Sequence, residues 1–394
     1  MAEDIIRNEN AVYQKYSTLI ISPENIAHNV DVIRSITDRT LIAVVKENGY
    51  GMGLWNEYQI LKDLDIHFYA VTNCEEALAL RRFGCQEKIL IMSPVLEYPY
   101  CLELARQDIT FSLESPAQAE LLEQVYRETG VFPRVHIKFE TGMGRYGFRW
   151  NRLPDMKTLT EHLRVEGCFT HLAGEPAHYE KQVQLQRTRF LEAAASIEAM
   201  GIPSGLKHIS NSSALMTLGD LGMDGVRVGS ALIGKAAAHK KSALKPGQPG
   251  LKPAMWLEAP IYEIKEFQKG DTIGYQSRLR LKREARLALV RIGHSDGIYL
   301  GYADSPELFF HGILHLAAVK LLPRRYRKTV TVGKRQAPLA GRLGVAHMMI
   351  DVTDIPCEAG DPVRVSVNPL LIHPAVPKVI RTKSDASDIY QKGV

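Results

Sequence analysis

Between residues 40 and 235, short aliphatic runs alternate with longer segments whose apolar residues recur every three or four positions. Such runs are typical of strands buried on both faces, and the longer segments of amphipathic helices. The helical segments include residues 74–84, 115–128 and 178–200. The runs cover residues 41–46, 68–71, 88–92, 109–113, 133–139, 165–172, 206–210 and 225–233. Eight strands alternating with helices over about 200 residues predict a parallel (β/α)8 barrel, the TIM barrel.

The residues before and after this region show different patterns of apolar and polar positions. An apolar run at 17–21 is followed by Ser22 and Pro23, which predict the start of a helix because serine caps helices and proline fits their first turn. Residues 235–252 form a connector rich in Lys, Ala, Gly and Pro. Alternating apolar runs separated by turn signals follow, at residues 256–264, 286–293, 313–321, 329–332, 345–352 and 363–367. They predict an antiparallel β domain.

These patterns give the expected domain organisation. We expect a (β/α)8 barrel over residues 15–240 and a C-terminal antiparallel β domain over 253–382, with terminal extensions at 1–14 and 383–394. The chain of 394 residues is long enough for one large core and a smaller one. No internal repeat is visible.

Composition narrows the classes of function. The net charge of +5 is spread along the chain, and we interpret the two dense basic patches, residues 278–286 and 324–328, as solvated turns rather than a nucleic-acid site. Five cysteines without Cys-x-x-Cys spacing argue against a disulfide framework and a zinc site, so we expect no metal. The N-terminus has no apolar signal core, and no apolar stretch reaches about 18 residues. A protein of the reducing cytoplasm, with no membrane partner, fits best.

Lys46 lies where the first aliphatic run ends and a glycine-rich segment begins. Gly49, Gly51 and Gly53 let the backbone approach a ligand closely. A partly desolvated lysine amine loses its proton more easily, which suits it to form a Schiff base. Taken alone, a lysine at a strand end is more often a solvated surface residue, so Lys46 depends on the rest of the chain.

The segment Lys46-Glu-Asn-Gly-Tyr50-Gly-Met-Gly resembles the cofactor-lysine motif of the alanine racemases, usually Lys-Ala-Asn-Ala-Tyr-Gly-His-Gly. Five further segments resemble motifs of that family in the same order. They are Lys138-Phe-Glu-Thr-Gly-Met-Gly-Arg145-Tyr-Gly, Thr170-His171, His208-Ile-Ser-Asn211-Ser212, Val226-Arg227-Val-Gly229-Ser230 and Gly274-Tyr275. The resemblance covers roughly residues 15 to 382 and implies an amino-acid racemase that depends on pyridoxal 5'-phosphate (PLP).

The resemblance also implies roles on the cofactor side. Lys46 would hold the cofactor, His171 would pack against its ring, and Arg227 would face the ring nitrogen and keep it unprotonated. Further cofactor contacts are implied for Tyr50, Asn211, Ser212, Gly229 and Ser230. The phosphate site of a TIM barrel commonly follows strands seven and eight, which is where the Asn-Ser and Gly-Ser pairs fall.

On the substrate side, the resemblance places Arg145 against the substrate carboxylate and a catalytic tyrosine. Arginine suits this role because its planar fork binds a carboxylate in two places. Tyr275 would be that tyrosine, contributed across the interface of a head-to-tail homodimer. Lys46 and Tyr275 would then act as bases on opposite faces of Cα, and the implied catalytic set is Lys46, Tyr275, Arg145 and His171.

Several positions depart from the family's motifs. Met52 replaces a histidine, His294 a tyrosine, Leu300 an arginine at the entrance, and Val345-Ala346 a methionine-aspartate pair near the substrate. These changes predict an altered or broader substrate, with alanine as the default and Val345 on the substrate side. Lys138 is either carbamylated, as in many relatives, or a plain lysine in a salt bridge.

Three classes of function remain open at this point. A racemase acting on a small amino acid is the first. A decarboxylase or aldolase on a related barrel is the second, although Tyr50, Arg227 and Tyr275 argue against it. A homologue that binds ligand without turnover is the third, because substrate-side residues have changed.

Overall fold

A computed structural model describes residues 15–174, 178–235, 242–274, 277, 279–298 and 328–382. The chain forms two compact units. One is Pro23–Ala254, and the other combines Met1–Ser22 with Met255–Val394.

Eight parallel strands close into a barrel within the first unit. They are β2 (Thr40–Val44), β3 (Phe68–Val71), β4 (Lys88–Ile91), β5 (Thr110–Leu113), β6 (Arg134–Glu140), β8 (Arg164–Phe169), β9 (Leu206–Ser210) and β10 (Gly225–Val228), with β1 and β7 defined below. The order around the barrel is β5-β4-β3-β2-β10-β9-β8-β6, and pairing of β5 with β6 closes it. The short β7 (Phe148–Arg149) adds to β6. The predicted TIM barrel is confirmed.

The barrel strands form where the aliphatic runs predicted them, because each strand is covered on both faces. β3 and β5 are buried at every position. Ile42, Val44 and Phe68 pack together in the barrel core with Ala70 and Leu90. Four runs end earlier than predicted, those of β2, β4, β8 and β10. β8 stops at Phe169 and β10 at Val228, and the residues that follow turn into the site described below.

Helices of this unit lie between the strands, at Pro23–Arg34, Leu54–Leu61, Cys74–Arg82, Tyr98–Arg106, Pro116–Thr129, Met156–Leu159, Tyr179–Ala199 and Ser212–Leu218. The helix predicted from Pro23 begins there. Local sequence sets several ends: the Asn73 side chain accepts the Glu76 N–H, and Ser115 accepts the Gln118 N–H with Pro116 in the first turn. No helix in the described ranges is long and apolar enough to cross a membrane.

The second unit is a mainly antiparallel β structure, as predicted. Its strands are β1 (Thr18–Ile21), β11 (Met255–Phe267), β12 (Thr272–Ile273), β13 (Leu279–Arg280), β14 (Ala285–Val290), β15 (Thr329–Val332), β16 (Arg335–Pro338), β17 (Met348–Asp351), β18 (Pro362–Val365) and β19 (Lys378–Ile380). The long β11 pairs with β1, β14 and β18, all antiparallel. The predicted run 313–321 lies outside the described residues.

β1 differs from the sequence-based assignment. The expected barrel domain started at residue 15, but β1 pairs with β11 and, in parallel, with β19. The barrel unit therefore begins at Pro23 rather than at residue 15. A four-residue apolar run fixes a strand but carries no information about its partner, since pairing depends on residues far along the chain.

Candidate active site

Lys46 begins a left-handed turn at the C-terminal end of β2. Glu47 and Asn48 each have a φ of 54°, Gly49 has 65° and Tyr50 has 48°. Residues other than glycine adopt this backbone conformation at an energetic cost, and such strain is typical of functional sites. The glycines of this segment suggested a break in the chain, but the sequence did not show that three other residues would turn left-handed with them.

Two side-chain contacts hold this turn. The Asn48 N–H donates to Oε1 of Glu76 at 2.8 Å, and Oδ1 of Asn48 accepts the Leu54 N–H at 2.9 Å. Glu76 is itself fixed at the start of its helix by Asn73. The strained backbone around Lys46 is thus tied to two neighbouring helices, which orients the lysine before any ligand binds.

Glu57 is a buried acid beneath the same turn. Its carboxyl oxygens have no hydrogen-bond partner, and a Cβ on Gly49 would lie 3.0 Å from Oε2. Burial, and then the nearby Glu76 carboxylate, raise the pKa of Glu57 well above its usual range. Burial of Glu57 was not predicted, because its position in the sequence also fits the solvated face of a helix.

We expect replacement of Glu57 by leucine to stabilise the protein. An unpartnered buried polar group costs about 1–3 kcal/mol, and about 1 kcal/mol corresponds to about 2–4 °C in Tm for a domain of this size. Because the pKa of Glu57 is higher in the folded than in the unfolded protein, binding of a proton to Glu57 favours the folded state. This contribution is complete below about pH 4 and is lost as pH rises through the folded pKa. The increase in Tm should therefore be larger at pH 8 than at pH 5.5.

Thermal unfolding at the two pH values measures this effect. Glu120→Leu is the matched control, because Glu120 is an exposed helical glutamate. An equal gain in Tm for both variants, or no dependence on pH for Glu57→Leu, would contradict the account of Glu57.

Ser212, Gly229 and Tyr50 meet beside the lysine turn, since β10 neighbours both β2 and β9. The N–H groups of Gly229 and Ala231 donate to the Ser212 hydroxyl at 3.1 and 3.2 Å. A Cβ on Gly229 would overlap the Tyr50 hydroxyl, so only glycine allows this approach. Burial raises the pKa of Tyr50, which keeps the phenol protonated as a donor. Hydroxyls and backbone N–H groups in one place suit a phosphate.

The neighbouring Asn211 and Ser230 lie at the same strand ends. Oδ1 of Asn211 accepts the Ala214 N–H at 2.9 Å and caps the Ser212–Leu218 helix, while its Nδ2 donates to the Leu172 carbonyl at 3.1 Å. Ser230 follows Gly229 and is half-buried. Asn211 thus supports the Ser212 turn, and direct cofactor contacts by Asn211 and Ser230 stay predictions.

Arg227 is buried in the barrel and fixed by four acceptors. Nη1 donates to Nδ1 and to the carbonyl oxygen of His208, both at 2.8 Å. Nη2 donates to the carbonyl oxygens of Thr170 at 2.6 Å and Ile209 at 3.3 Å. Burial lowers its pKa to about 9, so the guanidinium stays charged at neutral pH.

His208 and His136 extend this network through the barrel. Because an arginine only donates, Nδ1 of His208 must accept, and its Nε2 carries the hydrogen that binds Nδ1 of His136 at 2.8 Å. Burial lowers the pKa of both histidines, that of His136 to about 3. The two rings are therefore neutral, with fixed tautomers. His208 lies within a family motif, but no role was predicted for either ring.

His171 and Arg145 lie on the substrate side. Burial, followed by the charges of Arg227, Arg145, Lys138 and Lys46, lowers the pKa of His171 to about 3. His171 is thus a neutral ring among four cations. Arg145 belongs to a loop held by Glu140, whose carboxylate accepts the N–H groups of Gly144 and Arg145 at 2.9 and 3.1 Å.

The barrel brings together most of the residues that the sequence singled out. Lys46, Tyr50, His171, Ser212, Arg227 and Gly229 converge at the C-terminal ends of the strands, with Arg145 on the adjoining loop. Tyr275 lies outside the described residues. Val345 belongs to the other unit, where its side chain is 67% exposed and its carbonyl oxygen accepts the Ser295 N–H, so its role stays a prediction. No cluster of metal ligands occurs in the ranges that the structure describes.

These features fit one cofactor. PLP needs an amine for covalent attachment, hydroxyl and N–H donors for its phosphate, and a partner for its ring nitrogen. One end of the barrel holds a group suited to each of these three requirements: the Lys46 amine, the Ser212–Gly229–Tyr50 cluster and the buried Arg227. The fold and the site thus define an enzyme of the PLP-dependent TIM-barrel class.

Comparisons with known proteins agree with this class. The alanine racemase N-terminal domain matches residues 21–237, and the alanine racemase C-terminal domain matches residues 254–369. The chain therefore belongs to the alanine racemase family. Its cofactor is PLP, and it is an isomerase of the racemase type, as the sequence motifs predicted.

Individual relatives cover most of the chain. Alanine racemase 2 of Caldanaerobacter subterraneus subsp. tengcongensis is 28% identical over 353 residues, covering 87% of this chain and 83% of that protein. The alanine racemase of Desulforamulus reducens is 31% identical over 295 residues, covering 70% and 75%. The structure of alanine racemase from D-cycloserine producing Streptomyces lavendulae has a TM-score of 0.77 at 25% identity, covering 94% of this chain and 98% of that one.

Proposed function

We propose that this enzyme interconverts the L and D forms of a small amino acid, alanine or a neighbour of it, with Lys46 and Tyr275 as the two bases. The observation that carries the proposal is the convergence of Lys46, Arg227 and the Ser212–Gly229–Tyr50 cluster at one end of the barrel, with Arg145 on the adjoining loop. Such a site favours a ligand that carries both a phosphate and a carboxylate. The family assignment favours racemisation over the decarboxylase, aldolase and binding-protein alternatives.

Lys46 has two tasks in this proposal. It attaches the cofactor, and when the substrate has taken its place the freed amine moves a proton at one face of Cα. PLP, when bound, withdraws electrons from the substrate and makes the Cα hydrogen acidic. The hydrogen bonds from the Asn48 N–H to Glu76 and from the Leu54 N–H to the Asn48 side chain hold the turn that carries Lys46.

Arg227 keeps the ring nitrogen unprotonated. A guanidinium has five N–H groups, and the four on Nη1 and Nη2 are taken by His208, Thr170 and Ile209. The Nε–H is left to donate to the ring nitrogen. A permanently charged donor cannot give up its proton at neutral pH, so the ring withdraws electrons less strongly than beside an acid, which favours rapid return of the proton to Cα.

Arg145 binds the substrate carboxylate in this proposal, and Tyr275 acts on the opposite face of Cα. A free phenol is a poor base near neutral pH because its pKa is about 10. Arg145 and His171 are the groups that the resemblance places beside it, and the arginine charge would lower the pKa of the phenol.

We infer that the enzyme acts as a head-to-tail homodimer in the cytoplasm. The family resemblance supports the dimer, since the second base is contributed by a partner subunit. The five cysteines are free thiols, and Cys85, Cys101 and Cys168 among them are buried, which suits a reducing compartment.

The test of the proposed function is Cα hydrogen exchange. We expect the purified enzyme with PLP in D2O to exchange the Cα hydrogen of one or a few small L-amino acids and to produce the D form. Proton NMR follows the exchange, and chiral chromatography follows the inversion. Loss of carbon dioxide, or cleavage of a β-hydroxy amino acid, would support a lyase. Exchange without inversion would remove the second base from the proposal.

A further inference from the structure

Lys138 and Glu114 form a buried ion pair at the floor of the substrate side. The Lys138 Nζ lies 3.2 Å from Oε1 of Glu114, and the two side chains are only 4% and 3% exposed. Nζ also donates to the Met92 carbonyl oxygen at 3.3 Å. The ring centroids of Tyr146 and Phe169 lie 4.9 and 5.4 Å from Nζ.

All four of these neighbours are electron-rich. A carboxylate, a carbonyl oxygen and the faces of two aromatic rings each attract a cation and repel an anion. Arg145 faces the same Tyr146 ring, at 5.5 Å from the centroid, so this ring lies against both cations. These four contacts of Nζ therefore favour an ammonium group.

Carbamylation of Lys138 would reverse that charge. In this reaction the lone pair of a neutral amine attacks the carbon of CO2, an N–C bond forms, one C=O bond becomes a carboxylate, and the nitrogen releases a proton to solvent. The product is an anion on the same nitrogen, within reach of Glu114 and of two negative ring faces. An ammonium group has no lone pair and does not react.

We infer that Lys138 is an unmodified ammonium ion in this enzyme, and that Glu114 is a positioning residue that keeps it protonated beneath Arg145. Glu114 thereby balances one of the cations on the substrate side, and it holds the lysine that lies against the Tyr146 ring contacted by Arg145. The role of Arg145 toward substrate rests on the proposed function, whereas the state of Lys138 does not.

Burial shifts both pKa values toward the neutral forms, and the ion pair opposes both shifts. Burial lowers the pKa of Lys138, and the Glu114 carboxylate opposes that fall. Burial raises the pKa of Glu114, and the Lys138 ammonium opposes that rise. Without the carboxylate, burial and the charges of Arg145 and Arg227 would favour the neutral, reactive amine.

The experiment is 13C NMR of the PLP-loaded enzyme in 13C-bicarbonate, with Lys138→Met to identify signals that belong to Lys138. We expect the wild type to show no carbamate resonance that depends on Lys138. Glu114→Gln keeps the shape but removes the charge, and it should gain such a resonance. Glu114→Asp keeps the charge and should stay without it, which a merely space-filling role of Glu114 would not produce.

The state of Lys138 and the role of Glu114 are tested by different results. A carbamate resonance that is present in the wild type and absent from Lys138→Met would overturn the inference. Absence of the resonance from Glu114→Gln would overturn the role given to Glu114. Since the signal does not require turnover, a protein that fails to racemise any amino acid still gives a decisive result about Lys138.

Discussion

Replacement of Lys46 by alanine is expected to abolish racemisation, with a loss of about 10⁴-fold or more, because one side chain supplies both the covalent attachment and one of the bases. The fold should persist, since Lys46 is half-buried and the contacts that hold its turn belong to Asn48, Glu76 and Leu54. Bound PLP should lose the absorbance of its lysine adduct while still occupying the phosphate site.

Two measurements test this result. Borohydride reduction of the wild type followed by peptide mass spectrometry should place the cofactor on Lys46. Methylamine should restore part of the activity of Lys46→Ala in proportion to its concentration, because it replaces the missing amine. Lys62→Ala is the matched control, since the exposed Lys62 side chain donates to Gln59 at the surface. Wild-type exchange in Lys46→Ala would remove the lysine from the mechanism.

Tyr275→Phe should lower the rate of racemisation by about 10²–10⁴-fold, the usual contribution of a positioned general acid or base. The substitution keeps the ring and removes the hydroxyl. Because Lys46 still serves one face of Cα, exchange of the Cα hydrogen should persist for one enantiomer and fall for the other. This asymmetry distinguishes a lost base from a general loss of activity.

The measurement is Cα exchange in D2O, started separately from the L and the D amino acid. Tyr262→Phe is the control, because Tyr262 is an exposed tyrosine of the same unit whose ring stacks on Arg291. An equal fall for both enantiomers would mean that Tyr275 positions the substrate instead of carrying a proton.

The sequence predicted the barrel because its signals are local. A continuous aliphatic run such as 68–71 is a strand covered on both faces, and Ser22-Pro23 marks a helix start whatever surrounds it. The site residues followed from motifs at the ends of those strands. Both depend on neighbours in sequence, which one chain displays directly.

The features that the sequence did not reveal depend on distant contacts. Glu57 lies on the buried face of its helix and Glu114 directly follows the buried strand β5, but charged residues in such patterns are usually exposed. The left-handed turn at Glu47 and Asn48 contradicts local preference and exists because Glu76 holds it. Pairing of β1 with β11 joins residues far apart in the chain.

That pairing has a consequence for synthesis of the protein. Thr18 is partnered with Glu258 and Leu19 with Lys378, so β1 leaves the ribosome long before either of its neighbours. At about 5–20 residues per second, β1 waits on the order of ten to fifty seconds for β11. The barrel strands are synthesised during that interval and are complete before β11 begins. The nascent chain should therefore form the barrel first and pair β1 with its neighbouring strands last.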